Sequence, residues 1–359
     1  MKIAQVCPRY YPYMGGVETH VREISEKLVK KGYEVEVLTT DPSRKLPKEE
    51  VINGVRIKRF NSWAPNEAYY FSRSLKRYLM KNSGQYDIVH AHSYHALPAL
   101  YAAQAKKGNK FVFTPHYHGG GHTFFRNLLH IFYKPVGREI FNKANCVICV
   151  SKYEKKLILK NFKINEKKII LIPNGINLSE LKTLKRKRDY NNRTTKTILY
   201  VGRLERYKGV DNLIRVLPML GENFCLKIVG KGPYKRALVK LAKKLGVANR
   251  TRFYQNLSRE ELLQKYTEAS VFVMLSKHEA YCISVAEALA LGVPCIVTNM
   301  SALREYVDNE RCFGIDYPVN INKLASLIIK VSEKKISSNS LNLISWDIVV
   351  RELIKVYMK

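Results

Sequence analysis

His278-Glu-Ala-Tyr-Cys-Ile-Ser-Val-Ala-Glu-Ala-Leu-Ala-Leu-Gly-Val-Pro-Cys-Ile-Val-Thr298 is the stretch on which the fold turns. It reads as a polar loop, a helix, a glycine stop and a buried strand. Ala286, Ala288, Leu289 and Ala290 are strong helix formers, Gly292 ends the helix, and Pro294-Cys-Ile-Val297 opens a strand. Glu279 precedes the helix and Glu287 lies inside it, eight residues on. The backbone N–H groups of Tyr281, Cys282 and Ile283 fall at the helix start, where unpaired donors and the dipole favour an anion. A carboxylate on each side of such a nest suits a ligand carrying both phosphates and hydroxyls. A nucleotide sugar is that kind of ligand.

On both sides of this stretch the chain alternates strand and helix. Lys2 to Cys7 is a strand, and a Gly15-Gly16 turn leads into a helix with Val17, Val21, Ile24 and Leu28 on one face. Gly32 stops that helix and Tyr33 to Thr40 gives a second strand. The glycine turn follows the carboxyl end of the first strand, where open α/β sheets bind ligands. Only glycine lets the backbone approach a phosphate that closely. Val51 to Phe60 is a short extended piece, Phe71 to Met80 a basic helix, and Ala96 to Lys106 a further helix. Tyr86–His92, Lys110–Thr114, Cys146–Val150 and Lys168–Ile172 supply the remaining strands of this half, with a lysine-rich helix between the last two. Elements of this length in alternation predict a parallel, doubly wound sheet.

Residues 182–196 are polar and aperiodic, the composition of a linker. A second αβ series opens at Thr197, with strands at Phe224, Thr251–Tyr254 and Val271–Leu275. The last helix carries Trp346, Val349, Val350, Leu353 and Val356 on one face. The expected division is 1–178 together with the helix 346–359, a linker 179–196, and 197–345. In Gly202-Arg-Leu-Glu-Arg-Tyr-Lys-Gly209, Arg203 and Lys208 stand after a strand and before a helix. Two cations there are what a diphosphate requires, the arginine as a fork and the lysine as a point charge. Phe224 to Pro233 lacks the third glycine and later acid of a dinucleotide fingerprint, which excludes a dehydrogenase.

The paired glutamates running into Glu287-Ala-Leu-Ala-Leu-Gly-Val-Pro294, with Gly15-Gly-Val-Glu18 and the Arg203–Lys208 segment, resemble the signatures of retaining GT-B glycosyltransferases of family 4. Matching motifs run in register from Gly15 to Trp346, so the resemblance covers essentially the whole chain. It implies an α/β GT-B fold: two Rossmann-like domains facing across a cleft, the donor held mainly by the second and the final helix returning to the first. It implies transfer from a nucleotide diphosphate sugar with retention at the anomeric carbon. Arg203 and Lys208 would then neutralise the leaving diphosphate, Glu287 bind ribose hydroxyls, and Glu279 contact the transferred sugar. Tyr281, Cys282 and Ile283 would cap phosphate or sugar hydroxyls, and Gly16 would approach the β-phosphate. Asn256 and Leu257, in the loop after Tyr254, would meet the base through their backbone. His116 stands where the family places a histidine against the transferred sugar, with His118, two residues on, as the alternative. No cofactor and no metal are required in this scheme. Ala280 replaces the usual glycine, which bears on the sugar pocket, and Asn177 replaces an aspartate in a turn.

Composition narrows the partners. The 359-residue chain is 46% hydrophobic and carries a formal charge of +32, which calls for an anionic partner. The charge is uneven: residues 1–69 are near balance at +3, whereas residues 70–178 hold 18 basic and 4 acidic side chains, net +14. An anionic lipid-linked acceptor at the cytoplasmic membrane face accounts for that asymmetry, and no specific nucleic acid is expected. A stripe of Phe124, Phe125, Leu128, Leu129, Phe132 and Tyr133 among basic residues fits either a membrane interface or plain core. No run approaches the ~20 apolar residues of a membrane span, and Met1–Pro8 lacks a signal peptide's apolar region, so a cytoplasmic or peripheral protein is expected. The seven scattered cysteines read as free thiols, Cys146 and Cys149 included despite their zinc-ribbon spacing. His116, His118 and His122 sit in a glycine-rich loop and are not expected to hold a metal. Two rivals are a sugar-nucleotide epimerase of the same fold and a basic nucleic-acid binder.

Overall fold

The computed structural model describes residues 1–119, 124–185, 195–336 and 343–359, with the backbone alone for residues 66, 124–129 and 182–185. The linker's centre and His122 therefore lie outside the described residues. The chain divides into two compact units, Met1–Gly175 with Trp346–Lys359, and Ile176–Ser345. The division falls just ahead of the expected 178. Residues Leu178–Lys185, whose composition is largely that of a linker, form a helix of the second unit. Ile176 pairs with Ser345 as an isolated bridge at the base of that unit.

In the first unit the strands are β1 (Lys2–Val6), β2 (Glu34–Asp41), β3 (Glu49–Ile52), β4 (Val55–Asn61), β5 (Ile88–His92), β6 (Lys110–Thr114), β7 (Cys146–Cys149) and β8 (Ile169–Leu171). They lie in the order β3-β4-β2-β1-β5-β6-β7-β8. Helices over both faces bury β1, β5 and β6 almost completely, the usual condition of a parallel sheet. The order runs outward from β1 in both directions, so the crevice between the carboxyl ends of β1 and β5 is the topological switch point.

One edge departs from the parallel expectation. Val51 to Phe60 is not a single extended piece but the hairpin β3–β4, paired antiparallel. Asn53 (φ 51°) and Gly54 (φ +80°) between them take the left-handed backbone of a type I′ turn. The Asn-Gly dipeptide carried that information in the sequence.

The last helix, Trp346–Met358, belongs to the first unit and packs on the helix Gly16–Lys30, with Lys27 and Asp347 paired at 3.0 Å. Its deeper anchor is a directed chain of hydrogen bonds. Gln5 Oε1 can only accept, so His92 Nε2–H donates to it at 2.8 Å. Gln5 Nε2 donates to the Tyr357 hydroxyl at 3.2 Å, and that hydroxyl donates to His90 Nδ1 at 2.8 Å. His90 Nε2–H then donates to Thr114 Oγ1 at 2.8 Å. Every member is buried. Tyr357→Phe removes the central link and leaves two buried polar atoms unpaired, for an expected loss of about 1–3 kcal/mol in urea-induced unfolding. An unchanged urea midpoint would mean that the chain of bonds contributes nothing net.

The second unit holds β9 (Lys196–Val201), β10 (Phe224–Val229), β11 (Thr251–Tyr254), β12 (Val271–Met274), β13 (Cys295–Thr298) and β14 (Cys312–Ile315). All are parallel, in the order β11-β10-β9-β12-β13-β14. This is the 3-2-1-4-5-6 order of doubly wound nucleotide-binding folds, with its switch point between β9 and β12. β14 and the helix Ile321–Ser332 behind it had no counterpart in the sequence reading.

All seven cysteines are free thiols, five of them buried, and Cys146 and Cys149 sit within the parallel sheet. The aromatic stripe divides: Tyr133 is core, while Ile131 and Phe132 are exposed at 59% and 73%. The side chains of Phe124, Phe125, Leu128 and Leu129 lie outside the described residues. No described helix is long and apolar enough to cross a membrane.

Candidate active site

The switch point of the second unit gathers most of the expected donor residues. Arg203 and Lys208 lie in the loop after β9, and Glu279 in the loop after β12. The two loops are clasped through backbone: Lys277 N–H donates to Tyr207 O at 2.9 Å. Gly209 turns there with φ +68°, and a Cβ on it would come within 2.5 Å of the Leu275 carbonyl oxygen. The glycine is therefore required twice, by its dihedral and by the close approach.

That clasp brings Lys208 Nζ to 2.5 Å from Glu279 Oε1, both side chains 12% exposed. Burial works against the ammonium, but the Glu279 carboxylate and the Tyr207 and Tyr200 hydroxyls outweigh it, and the Lys208 pKa lies above its ordinary value. The lysine is thus held as a cation inside the protein. Arg203 is more open, with Nη2 at 3.1 Å from Glu205 Oε1, and its carbonyl accepts from the Tyr200 hydroxyl at 2.8 Å. Arg206, the neighbouring cation, lies instead over the Tyr234 ring at 5.5 Å.

The helix bearing Glu287 begins at Ile283, not earlier, with Cys282 as its N-cap in a left-handed conformation (φ 91°). Tyr281 thus stands ahead of the helix, and the N–H groups of Ile283 and Ser284 are its first, with no acceptor one turn back. Cys282 supplies no side-chain cap; its thiol lies 3.4 Å from Ser284 Oγ. Burial and the neighbouring Glu279 push that thiol up to about 12, so it stays protonated. Tyr281 packs edge-on against Tyr306, and burial raises its phenol to about 12. Glu279 is fixed through its own backbone: its N–H donates to Ser301 Oγ at 3.1 Å, and its carbonyl accepts from Ala302 N–H at 3.2 Å.

Glu287 is buried and bonded by two residues that sequence reading passed over. Arg259 Nη1 donates to its Oε1 at 2.6 Å and the Tyr266 hydroxyl to its Oε2 at 3.2 Å. Burial, then the Glu287 charge, raises the Tyr266 phenol well above its ordinary value. Arg259 also binds Glu180 at 2.9 Å, on the helix Leu178–Lys185. Arg259 opens a helix capped by Ser258 and Glu261, a capping box legible as Ser-x-x-Glu. Asn256, exposed with φ 55°, and Leu257, half-buried, form the loop just before it.

At the switch point of the first unit, Gly16 is the first residue of its helix, and a Cβ on it would meet nothing within 4 Å. Glu18 of the same motif is paired with Arg9 at 2.9 Å. His116 follows β6 with φ 47°. It meets His20 edge-on at 5.0 Å between ring centroids and stacks with His92 at 6.0 Å. His118 belongs to a different group, stacked on His95 at 4.8 Å with His130 nearby. The loop is pinned from beneath by Glu154, whose carboxylate accepts from Tyr117 N–H at 2.5 Å and Val150 N–H at 2.7 Å. His20 and His92 went unread in the sequence, although His90-Ala-His92 on a strand places both rings on one face.

Two family models match the chain in succession: glycosyltransferase family 4 over residues 14–180, and glycosyl transferases group 1 over residues 182–343. An uncharacterised glycosyltransferase of Methanocaldococcus jannaschii is 29% identical over 99% of this chain and 98% of its own. A human protein that forms part of phosphatidylinositol N-acetylglucosaminyltransferase is 24% identical over 84% of this chain and 63% of its own length. Among solved structures, Anabaena HepE in complex with UDP-glucose superposes with a TM-score of 0.78 at 15% identity, covering 100% of this chain and 99% of that one. With a nucleotide-binding strand order, paired carboxylates and cations at its switch point, and both family models in succession, the chain belongs to the GT-B glycosyltransferases of the family 4, group 1 kind.

Proposed function

We propose that this glycosyltransferase moves a sugar, with retention of anomeric configuration, from a nucleotide diphosphate sugar to an anionic lipid-linked acceptor. The observation that carries the donor half is the convergence of Arg203, Lys208 and Glu279 at the β9/β12 switch point, with Glu287 on the helix that follows. Arg203 and Lys208 neutralise the diphosphate as the bond from the anomeric carbon to its oxygen breaks, so no metal is needed for transfer. The N–H groups at the start of the Ile283–Ala290 helix take phosphate or sugar oxygens. Glu287 accepts from ribose hydroxyls, held in place by Arg259 and Tyr266. Glu279 faces the transferred sugar and its developing positive charge, and its bond to Lys208 ties the sugar end of the site to the phosphate end. His116 bonds the sugar, and Gly16 admits the β-phosphate. The acceptor oxygen bonds the anomeric carbon on the face the phosphate leaves, and its proton passes to the departing phosphate oxygen.

For the acceptor, the support is the net +14 of residues 70–178 and the exposed Ile131 and Phe132 on a helix that also presents Arg138. The human relative named above acts on phosphatidylinositol by its own description, which is an acceptor of this chemistry.

The donor site is tested by thermal shift with UDP, GDP, ADP and their common sugars, without metal, on wild type and Lys208→Ala. One nucleotide should stabilise the wild type by about 2.7 kcal/mol at a hundredfold excess over Kd, and the variant far less. No shift with any nucleotide would remove the donor-site reading. Analysis of the product then separates transfer from isomerisation: an epimerase of this fold would turn over the donor without an acceptor.

A further inference from the structure

We infer that His20, His92 and His116 form a binding site for one divalent transition-metal ion of the zinc class. Three separate segments bring them together: the helix Gly16–Lys30, the end of β5 and the loop after β6. Their candidate ligand nitrogens all lie within 4.8 Å of one another. His116 and His118, which were not expected to hold a metal together, part company here, since His118 stacks on His95.

The hydrogen-bond network decides which nitrogen His20 and His92 offer. His20 Nδ1 lies 2.7 Å from Asn174 Oδ1, an oxygen that only accepts, so Nδ1 carries the proton and Nε2 keeps its lone pair. His92 donates through Nε2 to Gln5 Oε1 and keeps its lone pair on Nδ1. His92 is 0% exposed, and its Nδ1 has no hydrogen-bond partner; neither has His116 Nε2. His90, whose ring touches His92, has both nitrogens bonded and is excluded from the ligand set. Two imidazoles each oriented by a side-chain carbonyl on the far nitrogen reproduce the outer shell of histidine metal sites. Buried acceptors without a donor are uncommon and call for an occupant.

The ligand chemistry sets the ion. Three neutral imidazoles without a carboxylate do not suit magnesium or calcium, which take oxygen ligands. Zinc–nitrogen bonds of about 2.0–2.1 Å in tetrahedral geometry need the nitrogens about 3.3 Å apart, so binding draws the triangle inward. His116, on a loop, is the ligand free to move. A fourth position stays open for water or an anion. The corollary rests on the function proposed above: an ion that takes the His116 lone pair removes it from the sugar, so zinc inhibits a transfer that needs no metal.

The test is titration of the metal-free full-length protein with cobalt(II), followed by its ligand-field absorption, and with zinc by calorimetry. One ion per chain with a tetrahedral cobalt spectrum is expected, displaced by zinc. His92→Gln and His116→Asn should each weaken zinc binding by at least about tenfold, the asparagine tolerating the left-handed backbone at 116. His278→Gln, in the other unit, should leave it unchanged. A wild type with no cobalt spectrum, or affinity equal in wild type and both variants, overturns the site without depending on whether a buried variant folds. Because binding is read without activity, a chain that binds zinc but transfers no sugar would overturn the proposed function and leave the metal site standing. Binding at full occupancy with undiminished transfer would overturn the inhibition alone.

Discussion

Lys208→Ala and Glu279→Ala should each lower kcat/KM for glycosyl transfer by about 10²–10³, and the double variant should fall little below the worse of the two. The two side chains form one object. They meet at 2.5 Å on loops clasped by the Lys277–Tyr207 bond. Removing the lysine takes away diphosphate charge and also leaves the carboxylate alone beside the sugar. Removing the carboxylate frees the lysine from the position in which the loops hold it. Each single change therefore does much of the damage of both. Stability should show the same coupling with a clearer sign. Breaking a buried pair by removing one partner costs about 3–5 kcal/mol, because the survivor's charge stays buried and unpaired. With both side chains 12% exposed, the low end of that range applies. The double variant has no survivor, so its melting temperature should exceed that of at least one single variant. A double-variant loss in kcat/KM equal to the product of the single losses would show that the two residues act on separate steps.

How much of this was legible depended on whether a feature repeats along the chain or arises by convergence in space. Strand and helix alternation is periodic, and the strands named from the apolar pattern lie where it put them, the β3–β4 hairpin excepted. Arg203 and Lys208 were readable as a pair because both stand on the one short loop between β9 and the next helix. Arg259 was not. It reaches Glu287 across 28 residues of sequence and Glu180 across 79, through helix packing that no local pattern encodes. The same holds for His20 and His92, which meet His116 only because β1, β5 and β6 are adjacent in the sheet. The helix Leu178–Lys185 was missed for a different reason: it continues directly into a basic, aperiodic run whose composition masked it. The hairpin was missed although Asn53-Gly54 is a turn dipeptide, because Val51 to Phe60 was read as one extended piece.

Acid should unfold the first unit before the second, and the buried histidines are the reason. Burial lowers the His20 pKa to about 4, against an opposing bond from Asn174. Burial first, and neighbouring rings second, lower His90, His92 and His116 well below their ordinary value. A folded-state pKa below the unfolded value means that the unfolded chain binds more protons between the two. Stability from these groups is therefore present above about pH 6.5 and is lost as pH falls toward 4. Glu154 works in the opposite sense. Burial raises it to about 8 despite the N–H groups of Val150 and Tyr117, so its contribution is full below pH 4.5 and fades as pH rises to 8. Four histidines oppose one carboxyl, so the net effect of acidification below about pH 6.5 is a loss of stability. All five groups lie in the first unit, whereas the second carries only His278. Both tryptophans also lie in the first unit, Trp346 buried at 5.6 Å from His20 and Trp63 exposed. Tryptophan emission should therefore shift to the red at a higher pH than the midpoint of helical circular dichroism, which reports both units. Coincident midpoints would mean that the two units unfold together or that the histidines titrate near their ordinary values. Replacing His90 by Gln separates those outcomes: the tryptophan midpoint should move to lower pH in the variant only if the histidine titration drives the transition.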